Sequence, residues 1–267
     1  MENYTIVKAL NEHRIIADRK ADGKRFFIED MQIAGIPNHE KQKIVWKMNC
    51  LVQKSESQIC LPRYHHPFIE NGKLFCVYDY LGDVTLETKI VQALKTKTSF
   101  KEEFIWEVVT AIAVGILNFH TNNPPASHGN IYAKNIYFVD DHDIRLGGFS
   151  LTEPDPTSQT PIQADIYQIG SLLYEISSLT KFKPEGKHFR GNLEKLPRSI
   201  RNTIKKLIKF DCNEQLTVSQ ILEIPEVAVH FLTLKLRADI ARNEEEKRKV
   251  VELQAEIELC KKRLNIE

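Results

Sequence analysis

Glycine is missing from the first 22 residues of this 267-residue chain, whose first glycine is Gly23. A glycine-rich phosphate cradle near the N-terminus is thereby excluded, because backbone amides approach a phosphate closely only where no Cβ stands in the way. Cysteine is sparse and scattered: Cys50, Cys60, Cys76, Cys212 and Cys260 form no CxxC pair and have no histidine at zinc spacing. That pattern argues against a zinc module or a disulfide scaffold and fits reduced thiols in a cytosolic compartment. Neither sign of charge dominates. A formal net charge of +1 gives no reason to expect nucleic acid or an acidic surface as partner. No run approaches the ~20 apolar residues of a membrane span. The opening MENYTIVKALNEHR carries charge inside any candidate apolar core, unlike a signal peptide. The expectation is a cytoplasmic protein with no membrane and no nucleic-acid partner.

What is present divides into three parts. Residues 4–10 and 13–19 alternate as two strands about a turn at Asn11-Glu12, and Asp22-Gly23 turns the chain into a third strand, Arg25–Ile33. Residues 38–54 place Ile44, Val45, Met48, Leu51 and Val52 at helical spacing, with Asn38 as the expected cap. Strands are expected at 59–68 and 73–80 about Glu70-Asn71-Gly72. Helices dominate afterwards: 100–120 is apolar enough for a core, 165–179 nearly so all round, and 197–210 and 217–223 are amphipathic. The predicted domains are therefore a small lobe, 1–80, a larger helical lobe, 81–232, and a C-terminal helix, 233–267. That last segment has no proline or glycine. Val250, Leu253, Ile257, Cys260 and Leu264 follow a 3-4-3-4 heptad seam, which becomes Asp239, Asn243 and Glu246 upstream. A short coiled coil and a solvated helix docked on its own domain both fit this pattern.

The stretch Ser127–Ser150, SHGNIYAKNIYFVDDHDIRLGGFS, organises the rest. It reads as a loop, a short apolar strand, a polar turn and a second strand. With FFIEDMQI, FIENGKLFCVYDY, HGNIYAKNI, LGGFS and ADIYQIGSLLYEI in order, residues Tyr4 to Leu232 resemble a protein kinase domain, most closely the NIMA-related (NEK) family. The resemblance implies an α+β, two-lobed kinase-like fold: an antiparallel-sheet lobe with one helix, a helical lobe, and the C-terminal helix. Family members commonly carry a coiled coil just after the kinase domain.

Several positions that carry charge in the family differ here. His128-Gly129-Asn130 stands where the catalytic-base triplet falls, Gly148-Phe149-Ser150 where the metal-binding triplet falls, and Asn135 is kept at the metal-ligand spacing. An amide has no useful basicity, and one neutral amide oxygen holds Mg²⁺ poorly. Phe27 and Glu29 take the places of the alanine and the ATP lysine, and share one face of a strand. Tyr132 stands for the lysine that neutralises the transferred phosphate. Counting the family interval from Glu29 lands on Lys47, which fits either an ion pair of reversed polarity or two separate surface charges. Only 16 residues separate Gly148 from Asp165, with no Ala-Pro-Glu, and Gln215 stands near the arginine that would pair with it. Leu51, Tyr64, His128 and Phe149 fall where kinases stack a column between lobes, and Asp165 where a helix-start aspartate anchors it. His65-His66 reads as a surface pair rather than a metal site.

The expectation from sequence is a catalytically inactive homologue: not an enzyme, with no catalytic, cofactor-binding or metal-binding residue and with ATP and Mg²⁺ binding lost. It would act as a scaffold or regulator through protein partners or self-association along the C-terminal helix. A cytoskeletal association is a family-level expectation. The alternatives are a residual Ser/Thr kinase and a metal-independent nucleotide-binding module.

Overall fold

The computed structural model describes residues 1–56, 58–151, 160–185, 188–189, 192–209 and 215–264, without the side chains of 184–185, 188–189, 250 and 253–264. Strands β1 (Tyr4–Ala9), β2 (Arg14–Arg19), β3 (Arg25–Gln32), β4 (Phe68–Glu70) and β5 (Lys73–Asp79) form an antiparallel sheet in the order β1-β2-β3-β5-β4. A two-residue turn sets the register of β4 on β5. Asn71 and Gly72 between β4 and β5 both have positive φ, 50° and 74°, the combination a twisted hairpin turn requires.

Alternation along β3 splits its side chains between two layers. Phe26 and Ile28 join Ala17 and Val77 in a small outer cluster, while Phe27 faces the main core. Helix α1 (Asn38–Ser55) covers that inner face through Ile44, Met48 and Leu51. Asn38 does not cap it. Pro37 occupies the cap position and makes no side-chain cap bond, so Asn38 is already helical.

The expected strand at 59–68 is mostly irregular. Tyr64 makes an isolated bridge to Tyr78, and regular pairing begins only at Phe68. Pro62 and Pro67 supply no backbone N–H, which breaks a ladder at two places.

The larger lobe holds α2 (Leu86–Thr96), α3 (Glu102–His120), the hairpin β6 (Ile136–Phe138) and β7 (Ile144–Leu146), α4 (Pro161–Ser178), α5 (Arg198–Leu207) and α6 (Val218–Leu222). Among the described residues α3 is long and apolar enough to cross a membrane by length and composition, contrary to the sequence reading. In the fold, 67% of that apolar window is buried. Its surroundings are α4, α6, β7 and the final helix, α7 (Pro225–Leu264). Helix α7 starts eight residues before the expected boundary at 233. Val227 is fully buried, Phe231 and Leu234 pack against the core, and Thr110 Oγ1 of α3 donates to the Val227 carbonyl at 3.5 Å.

One continuous apolar cluster runs from Ile16 and Phe27 through Tyr64 and Phe149 to Ile166 and Val227. The two lobes therefore share a core.

Candidate functional site

The cleft between the lobes is lined by β2, β3 and β5 above and the Ser127–Ser150 stretch below. Its centre is occupied by Arg14. Strand pairing sets Arg14 directly opposite Glu29, so both side chains fall on one face and meet. Arg14 Nε lies 2.9 Å from Glu29 Oε1. The buried Tyr78 hydroxyl donates to the same carboxylate oxygen at 2.8 Å and accepts from Arg14 Nη2. The guanidinium also packs over three rings, at 4.8 Å from Phe27, 5.5 Å from Tyr137 and 5.6 Å from Tyr78. Burial by itself would lower the Arg14 pKa. Its contacts with Tyr78, Glu29 and Tyr137 outweigh it and raise the guanidinium above its ordinary value, so it stays charged. Burial, with the Glu29 charge behind it, pushes the Tyr78 phenol up, so its proton remains available for donation.

The expected Glu29–Lys47 pair is corrected by this geometry. Among the described ion pairs the cation facing Glu29 is Arg14, placed by strand register, whereas Lys47 is buried on α1. Phe27 does fill the cleft: it is 1% exposed, with Tyr80, Tyr78 and Tyr137 at 5.0, 5.4 and 5.5 Å.

Below the cleft, Asn130 and Asn135 bind the chain's own backbone. Asn130 Nδ2 donates to the Gly148 carbonyl at 2.8 Å, and Asn135 Nδ2 to the Asn130 carbonyl at 2.9 Å. Asn135 Oδ1 faces Arg14 Nη1 at 3.4 Å, a polar link between the lobes. Gly148 has a φ of +70°, and a Cβ there would lie 2.9 Å from Asn135 Cγ. A side chain at 148 therefore requires Asn135 to move, which couples the glycine to the amide. Tyr132 points outward, 51% exposed. His65 Nε2 pairs with Asp79 at 2.9 Å. Among the described residues no group of three or more His, Cys, Asp or Glu side chains is arranged to hold a metal.

Behind the cleft, Leu51, Tyr64 and Phe149 line a cavity of about 190 Å³ with Glu29, Met48 and Cys76. The Phe149 amide donates to the Tyr64 hydroxyl at 3.4 Å, and the Phe149 ring lies 5.2 Å from both Phe119 and His128. Asp165 is fully buried at the base of this column. Its carboxylate accepts from the His128 amide at 2.6 Å and the Gly129 amide at 2.7 Å, and its Oδ2 lies 2.9 Å from His120 Nε2. Gln215 donates its side-chain amide to the carbonyls of Leu207 and Gln163, tying α5 to the start of α4. Within the short segment between Gly148 and Asp165, residues 152–159 lie outside the described residues.

Burial lowers the His128 pKa from 6.5 to about 4. The Asp165 charge opposes that shift, and His120 and Lys47 add to it. The folded state therefore holds this imidazole neutral where an unfolded chain would protonate it. Its contribution to stability is complete above pH 6.5 and is lost as pH falls toward about 4. It amounts to about 3 kcal/mol. Denaturant titrations between pH 7 and 4 should show this loss, and His128→Asn should flatten the slope in that window.

Sequence reasoning missed Arg14. It placed Arg14 in a strand, 13–19, beyond a glycine-free turn at Asn11-Glu12, but did not follow the parity of that strand. Arg14 and Ile16 are two apart and both buried on the cleft side. A charged residue in phase with an apolar inward position was the available signal.

Fold and cleft define a two-lobed, protein-kinase-like α+β protein. No family model matches the chain. Among curated proteins it is similar to the serine/threonine-protein kinase Nek2 of Mus musculus, 23% identical over 248 residues, covering 79% of this chain and 56% of that protein. Nek2 of Homo sapiens is 24% identical over 248 residues, with 79% and 55% covered. Nek3 of Oryza sativa subsp. japonica is 22% identical over 287 residues, with 91% and 47% covered. The chain has a kinase-like fold related to that of the NIMA-related (NEK) kinases, and it spans about half the length of the curated relatives it matches. These relatives also correct one expectation. All three are named as serine/threonine-protein kinases, so the reading that the chain is not an enzyme does not stand. Substituted side chains at matching positions were too narrow a basis for it.

Proposed function

We propose that the chain works as a protein-binding regulator on a kinase-like fold, with the cleft filled by its own side chains in place of Mg·ATP. The observation that carries this reading is Arg14, stacked on Phe27 and bound to Glu29, Tyr78 and Asn135. A triphosphate entering there would displace the guanidinium and meet the Glu29 carboxylate. Partner binding is assigned to the outer face of α7. The free Cys50, Cys60 and Cys76 suit the reducing cytoplasm, and burial pushes the thiols of Cys60 and Cys76 up to about 12, which keeps them protonated and inert.

Thermal unfolding with ATP tests the reading. A ligand of the native state present at 100 times its Kd adds about 2.7 kcal/mol and raises Tm. Millimolar ATP, with or without Mg²⁺, should leave Tm unchanged, and a metal-dependent rise would overturn the proposal. Protein kinase activity is the second reading, favoured by the names of the relatives. It requires Arg14 to leave the cleft, and transfer of labelled phosphate from ATP to protein substrates would establish it.

A further inference from the structure

Helix α7 has two apolar faces. At about 100° per residue, Val227, Phe231 and Leu234 lie on one side and pack on the core. Val229, Leu232, Leu236 and Ile240 lie nearly opposite and are 64%, 65%, 61% and 50% exposed. These outward residues continue the downstream heptad register: Val229, Leu236, Asn243, Val250, Ile257 and Leu264 are successive sevens, with Leu232, Asp239, Glu246, Leu253 and Cys260 on the alternate seam positions. The seam is thus apolar at both ends and polar in the middle, with two acids flanking one amide. Asp239 is 63% exposed, and its ion pair with Arg242 at 3.6 Å is solvated and weak.

We infer that α7 takes a helix of another protein, one with apolar core positions at its ends and lysine or arginine at the central ones. This rests on the protein-binding reading above and names the partner's chemistry. A second copy of the chain aligned in parallel would set Asp239 against Asp239 and Glu246 against Glu246 in adjoining core layers, and like charges in a seam oppose pairing. A partner with basic central positions turns the same carboxylates into attractive contacts, while the apolar ends supply burial. The acidic interruption acts as a selector against self-pairing.

The full chain can be titrated with two synthetic helices of about five heptads that share Leu and Val at the terminal core positions. One carries Lys at the central core positions and the other Glu. Calorimetry should give the Lys peptide an affinity at least ~10-fold higher, and the exposed double variant Asp239→Lys/Glu246→Lys should reverse the order. Light scattering should show the chain alone as a monomer at micromolar concentration. Equal affinities, no binding of either peptide, or a self-associated dimer would each overturn the inference. An ATP-dependent rise in Tm would instead overturn the cleft reading and leave this one standing.

Discussion

Asp165→Ala should lower stability by about 3–5 kcal/mol, since it strands two buried backbone amides at about 1–3 kcal/mol each. The carboxylate accepts two backbone amides and lies against His120 Nε2, all within 2.9 Å and shielded from water. Removing it leaves buried donors unsatisfied. Urea titration should show a large drop in midpoint with an unchanged m-value if the fold survives. Asp165→Asn keeps the shape and one acceptor, so it should lose less. A loss under about 1 kcal/mol for Asp165→Ala would show that these amides find other partners.

Arg14→Ala should be the second large effect, at about 2–3 kcal/mol, below the full range for a buried pair because the Glu29 side chain keeps 27% of its exposure. The loss has two origins: a carboxylate left facing Tyr78 alone, and the stacking lost from Phe27 and Tyr137. Glu29→Gln in the same background should recover part of it by removing the stranded charge. A double-mutant cycle reports the coupling directly. Additive effects, with coupling below about 0.5 kcal/mol, would mean that the pair contributes little and that Arg14 acts through packing.

Much of this architecture is legible in the chain because period and turn chemistry agree. The Asp22-Gly23 and Asn71-Gly72 turns, the strand Arg25–Gln32 and the apolar helix α3 all announce themselves locally. Helix α2 went unnoticed, although Leu86, Ile90 and Ala93 have helical spacing and Thr85 and Thr88 form a capping box. Helix α4 begins at Pro161, four residues ahead of the expected Asp165, with Thr160 and Gln163 capping it in the same way. At the site, the inward face shared by Phe27 and Glu29 follows from strand parity alone. The partner of Glu29 did not follow from a family interval, because register across β2 and β3 decides it. Strand pairing is a long-range choice. A count along one segment carries no information about what its neighbour presents.

Helix α7 is rooted in the fold and exposed further along. Val227 is buried and bonded to α3, whereas the described side chains from Asp239 to Glu252 lie in solvent. Mechanically it is a cantilever. A load applied near Glu252 acts over an arm of about 27 Å, at 1.5 Å per residue from Leu234, the last side chain packed on the core. The torque is delivered to α3, which lies against α4 and the Asp165 anchor. Any partner that gripped the free end would therefore be in mechanical continuity with the floor of the cleft, without touching it.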